Sequence, residues 1–189
     1  MKAKWIVVIG GIFIFISQVL MSFGYDFLMA QRPIDYAHWS LLIGAVLMFG
    51  LWFSLPESVT KSFGLSLMSI GIAGVAGMCV IDFMLWAAHD NQELKNSLFQ
   101  LISSTPAIHY PFLVIGSVLF YSGISISTLG LYRQSLVAVL LVNLGTALIG
   151  LGFMVLRNPI LPAIGGFLLF LGLVSLLKLP AHTKQSGLK

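Results

Sequence analysis

Six stretches of this chain, at about 5–23, 36–55, 63–88, 106–131, 135–156 and 159–177, run almost free of charge for the length a helix needs to cross a bilayer. Such a crossing takes about 20 apolar residues. Inside the hydrocarbon layer every backbone N–H and C=O has to be bonded within its own segment, and for stretches of this length that means helices. The sequence therefore predicts an all-α polytopic membrane protein: a single bundle of six transmembrane helices with short loops over residues 1–180, then a disordered cytoplasmic tail at 181–189. Composition leaves no soluble alternative. With 58% hydrophobic and 8% charged residues, where soluble domains carry about a quarter charged, a water-facing fold would have nothing to cover its core.

The boundaries carry their own signals. Lys2 and Lys4 precede the first run, which is longer than the roughly 7–15-residue core of a secretory signal and lacks a good small-x-small site, so it is expected to be retained. Asp35 is placed to cap the second helix and Pro56 to end it, while 58–62 reads as a short turn. Thr105-Pro106 and Asn158-Pro159 each join a capping residue to a proline in a first helical turn. Residues 91–104 are too polar to cross, yet Leu94, Leu98, Leu101 and Ile102 recur at helical spacing. They make either an amphipathic helix on the outer surface or a solvated loop. Spans four and five, joined through residues 132–134, must be antiparallel neighbours.

Six crossings put both termini on one side. With the termini in the cytoplasm, Lys2, Lys4, Lys61, Arg133, Lys178, Lys184 and Lys189 lie inside and Arg32, Lys95 and Arg157 outside, the bias expected of a cytoplasmic (plasma) membrane protein. Trp5, Trp39, Trp52 and Trp86 then all fall at membrane interfaces. The formal charge of +4 contains no basic run, which excludes a nucleic-acid partner. The single cysteine, Cys79, excludes an intramolecular disulfide and a dithiol pair. There is no Gly-x-Ser-x-Gly and no His-Glu-x-x-His, and the glycines lie mostly within spans, at Gly71, Gly74 and Gly150 among others, where close helix packing accounts for them. No motif names a cofactor.

The polar residues are distributed unevenly under this topology. Asp26, Asp35, Asp82, Asp90 and Glu93 lie toward the outer face with His38, His89 and His109, leaving only Glu57 inside. Asp82 stands well within the third span, about 6–10 Å below the interface at about 1.5 Å rise per residue. An isolated charge at that depth costs about 2.5–3.5 kcal/mol, so Asp82 is expected to be neutral, hydrogen-bonded or paired. Asp82, Trp86, His89, Asp90 and Glu93 share one helical face, which continues inward through Met78, Gly74 and Gly71 and so should look into the bundle. Partner stripes are offered by Gln18, Ser22 and Asp26 on span one, by Ser117, Tyr121, Ser125 and Thr128 on span four, and by Asn143, Thr146 and Gly150 on span five. Each of those stripes alone reads equally as hydroxyls and amides bonding backbone carbonyls or a neighbouring helix. Span six has almost nothing polar and is expected to be a packing or lipid-facing helix.

Three chemistries fit the outer cluster. The first is binding or moving a small solute or ion in an outward-facing polar pocket around Asp82, with Trp86, His89, Gln18, Tyr121 and Asn143 as ligand-binding residues. The second is a metal-dependent hydrolase with His38, His89 and His109 as ligands, and the third is haem ligation by two of those histidines. A non-catalytic subunit that binds a membrane-protein partner, or a second copy of itself, is a further alternative. The stretch from His38 through Ile43-Gly44 resembles that from His109 through Ile115-Gly116, and the run ending Ile70-Gly71 resembles that ending Leu144-Gly145. This pattern suggests a parallel hairpin repeat, with His38 and His109 in equivalent places.

Overall fold

The structure, a computed structural model, describes residues 2–178; the tail expected at 181–189 lies outside them. Six helices are long and apolar enough to cross a membrane: Ala3–Ser22, Tyr36–Ser54, Val59–Ala87, Pro106–Leu129, Leu136–Leu156 and Ile160–Leu177. No strand occurs among the described residues. The chain is an all-α bundle, as its apolar runs require.

Local chemistry sets the ends. Asp35 caps the second span, its Oδ1 accepting from the His38 N–H at 3.1 Å. The third span begins at Val59, earlier than the polar residues there suggest. Ser58 Oγ accepts from the Lys61 N–H at 3.1 Å, so 58–62, expected as a separate short turn, is the cap and first turn of the helix. Lys61 is buried there, its ammonium 2.6 Å from Glu57. Thr105 does not cap with its side chain; its hydroxyl donates back to the Leu101 carbonyl at 2.7 Å. At 91–104 the helical alternative holds: Gln92–Ser104 is a helix whose start is capped by Asn91 Oδ1 on the Leu94 N–H at 3.0 Å. Of its apolar residues Ile102 is buried, while Leu94, Phe99 and Leu101 stay exposed.

Helices in lipid gain little from burying apolar surface, so their association depends on close van der Waals approach, which small residues permit. Here that approach joins sequence neighbours into three hairpins. A Cβ on Gly44 would lie 2.9 Å from the Gly10 carbonyl oxygen, joining spans one and two. One on Gly123 would lie 2.6 Å from the Gly64 oxygen, joining three and four, and one on Gly145 2.6 Å from the Gly165 oxygen, joining five and six. Span two also packs on three, four on five and six on one, which closes a ring in chain order. The Lys4 ammonium donates to the Leu177 carbonyl at 2.6 Å, so the first and last spans end together. The sixth span packs as expected, turning Gly165, Gly166 and Gly172 inward and Ile160, Ile164 and Phe167 outward. Spans four and five, like two and three, meet less closely than the partners within a hairpin, and the far-end turns of four and five are π-helical, at His109–Ile115 and Gly152–Leu156.

Candidate functional site

The end of the bundle away from the termini is organised by the start of the second span. Its exposed N–H groups need acceptors. Asp35 supplies one and Gln31 Oε1 two more, accepting from Tyr36 at 2.6 Å and Ala37 at 3.3 Å. With Asp35 fixed as the cap, its second oxygen reaches back to the third helical position, where His38 Nδ1 lies 2.5 Å from Oδ2. The other ring nitrogen, Nε2, lies 3.2 Å from Asp82 Oδ2 on the third span. Asp35 is wholly buried, His38 nearly so, and Asp82 three-quarters so.

Two carboxyl groups thus clasp one imidazole. A neutral imidazole has a single N–H and an ionised carboxylate has none, so both bonds form together only when the three groups share at least two protons, and two are enough. With two, the cluster carries one net negative charge wherever those protons sit.

Asp82 is paired, as its depth demands. Its partner sits on the second span, not on the stripes of spans one, four or five. The face expected to look into the bundle as one divides: Asp82 and Trp86 turn to the second span and the loop before it, whereas Met78, Gly74 and Gly71 meet the fourth span. One turn before Asp82 the Cys79 thiol donates to the His38 carbonyl at 3.5 Å. One turn after it Trp86 Nε1 donates to the Gln31 carbonyl at 3.1 Å. Arg32 lies 4.9 Å above the Trp86 ring and 3.7 Å from Asp90, and Trp39 stacks on Phe83 with centroids 5.0 Å apart. Glu93 is exposed.

The three outer histidines have separate surroundings. His89 Nε2 lies 3.9 Å from the exposed Asp90, and His109 stands edge-on to Tyr110. Each has a buried Nδ1 without a hydrogen-bond partner. Among the described residues no group of three or more His, Cys, Asp or Glu is placed to hold a metal ion. His38 and His109 do not occupy equivalent settings. The glycines of the internal similarity do: Gly44 and Gly116 each meet a glycine of the preceding span, and Gly71 and Gly145 each meet the backbone of the following one.

At the centre of the ring lies a cavity of about 700 Å³. Its polar wall is Gln18, His38, Ser117, Tyr121, Ser122, Ser125, Asn143 and Thr146; the rest is apolar, including Met21, Leu41, Val75, Met78 and Ile149. It opens sideways between spans four and five, beside Val118, Phe153 and Met154. Of the residues expected to bind a ligand, Gln18, Tyr121 and Asn143 border this space, and Asp82, Trp86 and His89 do not. Asp82 is linked to it by its bond to His38, which is part of the wall. Asn143 is engaged in stitching helices: Ser125 donates to its Oδ1, and its amide donates to the Val139 carbonyl at 2.8 Å. Thr146 donates to the Asn143 carbonyl at 2.9 Å. The Gln18 and Tyr121 pair differs. Gln18 Nε2 lies 3.3 Å from the Tyr121 hydroxyl, linking spans one and four across the centre, while Gln18 Oε1 is buried without a donor.

Reasoning from the sequence missed Gln31 and Cys79 and the role of Asp35 beyond capping. An Asp three residues before a His at a helix start is the available signal, because the capping and third positions face each other. No protein-family model matches this chain, and neither does any curated protein or solved structure.

Proposed function

We propose that this six-helix protein binds or carries a small solute in the chamber at the centre of its ring, and that the Asp35–His38–Asp82 cluster exchanges a proton as the chamber fills and empties. One observation carries the reading: His38 forms part of the chamber wall while both of its ring nitrogens face carboxylates, at 2.5 and 3.2 Å. The chamber's size agrees, since small-molecule sites run to roughly 300–1,000 Å³. The Lys/Arg bias supports placing the ends of the chain in the cytoplasm, with the cluster toward the outer face. A hydrolytic enzyme has less support, because His38 has no free nitrogen to act as a base and the Cys79 thiol bonds a backbone carbonyl instead of the imidazole. The central chamber also favours a binder over a purely structural subunit.

The test is native mass spectrometry of the protein extracted in lipid-retaining polymer discs. Wild type is expected to carry a small-molecule adduct whose occupancy changes over about pH 5–8, the range in which imidazoles commonly titrate. Gly150→Phe fills the chamber from a wall position with no atom within 4 Å of its Cβ site, and should carry none. His38→Gln and Asp82→Asn should bind without the pH response. An adduct kept by Gly150→Phe refutes the chamber, and an unchanged pH profile in His38→Gln refutes the proton role.

A further inference from the structure

The chamber has a polar anchor with unused bonding capacity, and that anchor limits what fits. Gln18 is 1% exposed. Its Nε2 meets the Tyr121 hydroxyl at 3.3 Å, its Oε1 has no donor, and the Tyr121 O–H has no acceptor among the described residues. A buried amide left half-bonded costs about 1–3 kcal/mol. The unused capacity of this pair is one acceptor, Gln18 Oε1, and two donors, the second N–H of Gln18 Nε2 and the Tyr121 O–H. A hydroxyl group answers an acceptor and a donor together, because it donates and accepts through one oxygen. It does so even with the Gln18 amide turned over.

The rest of the wall states what the remainder of the occupant must be. No Asp, Glu, Lys or Arg lines the chamber, and His38, its one titratable base, is held by Asp35 and Asp82 on its own and the third span, with the Cys79 thiol on its carbonyl. An anionic head would therefore be buried without a counter-ion, which is prohibitive, and a cationic one would meet only the His38 ring, because Asp35 and Asp82 do not line the chamber. The opening lies between spans four and five, flanked by Val118, Phe153 and Met154, so the way in is from the apolar layer.

We propose that the occupant is a neutral, bilayer-soluble molecule with an apolar body and a single hydroxyl, which enters sideways between spans four and five and seats that hydroxyl on Gln18 and Tyr121. This rests on the chamber being a binding site and goes further by naming the class of ligand and its anchor.

The full chain in lipid nanodiscs is heated with dodecanol, dodecane or dodecylamine as probes, and the unfolding midpoint is followed. Dodecanol is expected to raise the midpoint in a concentration-dependent way, while dodecane and dodecylamine do so at least tenfold more weakly. Gln18→Leu and Tyr121→Phe, both near-isosteric, should each weaken the dodecanol response by roughly tenfold, the worth of one good hydrogen bond, and leave the dodecane response unchanged. Gly150→Phe should abolish all three. Equal responses to dodecanol and dodecane, or an undiminished dodecanol response in both anchor variants, overturn the hydroxyl anchor while leaving the chamber in place. A dodecanol response that survives in Gly150→Phe overturns the chamber and the anchor together.

Discussion

The fourth span is packed in opposite ways on its two sides. Toward the third span it meets backbone with backbone: Gly64, Gly71, Gly74, Gly116 and Gly123 lie so close to the partner helix that a Cβ on any of them would strike a main-chain atom. Toward the fifth span it is held by side chains, through Ser125 to Asn143 and Thr146, around an open space. A glycine also stands on that open side, but Gly150 has nothing within 4 Å of its Cβ position. The same residue type thus brings two helices together at one seam and leaves room at the other. Glycine content alone does not distinguish a contact from a void; what lies opposite each glycine does.

Substitutions break or sharpen this contrast in a definite order. Gly123→Val comes first, since its Cβ would lie 2.6 Å from the Gly64 oxygen. Overpacking against backbone that cannot yield should cost about 3 kcal/mol or more, read as loss of a cooperative unfolding transition in nanodiscs. His38→Ala follows. It leaves two carboxylates facing each other without the imidazole between them, at a cost of roughly 3 kcal/mol, and a second change, Asp82→Asn, should recover part of that loss.

Gly150→Ala should act with the opposite sign. It adds helix propensity where there is space for a methyl, a gain of roughly 0.5–1 kcal/mol, whereas the same change at Gly71 should destabilise. A loss at Gly150 would show that the seam closes in the membrane. Ser125→Ala is the smallest, about 0.6 kcal/mol, the average for a hydrogen bond between helices in a bilayer. A loss several times larger would mean that the fourth-to-fifth seam depends on this contact as much as the third-to-fourth seam depends on its glycines.

The sequence reveals these seams unequally for physical reasons. Spans are legible because length and hydropathy are one-dimensional quantities, and Gly71 and Gly74 stand out because small residues recur at helical spacing. Polar Ser58, Lys61 and Ser62 put the expected start of the third span at about 63, four residues after the helix begins. The stretch is helical nonetheless, with Ser58 capping it and Glu57 neutralising Lys61. Asp82 announced itself by its depth, but its partner did not, because His38 belongs to another span and only folding brings the two together. The chamber is legible only in part: the polar stripes of spans one, four and five that border it, among them Gln18, Tyr121 and Asn143, can be read from their spacing, but its separation from Asp82 and its sideways opening depend on how whole helices pack.

Closing each hairpin between helices adjacent in the chain has a consequence for how the molecule is made. A pair can lock as soon as its second helix has entered the bilayer, because its closest contacts join helices that follow one another in the chain. The closing of the sixth helix on both the fifth and the first has to wait until that last helix has entered. The loosely joined fourth and fifth helices belong to two separately completed units, so the opening between them is the boundary left where finished pieces come to rest side by side.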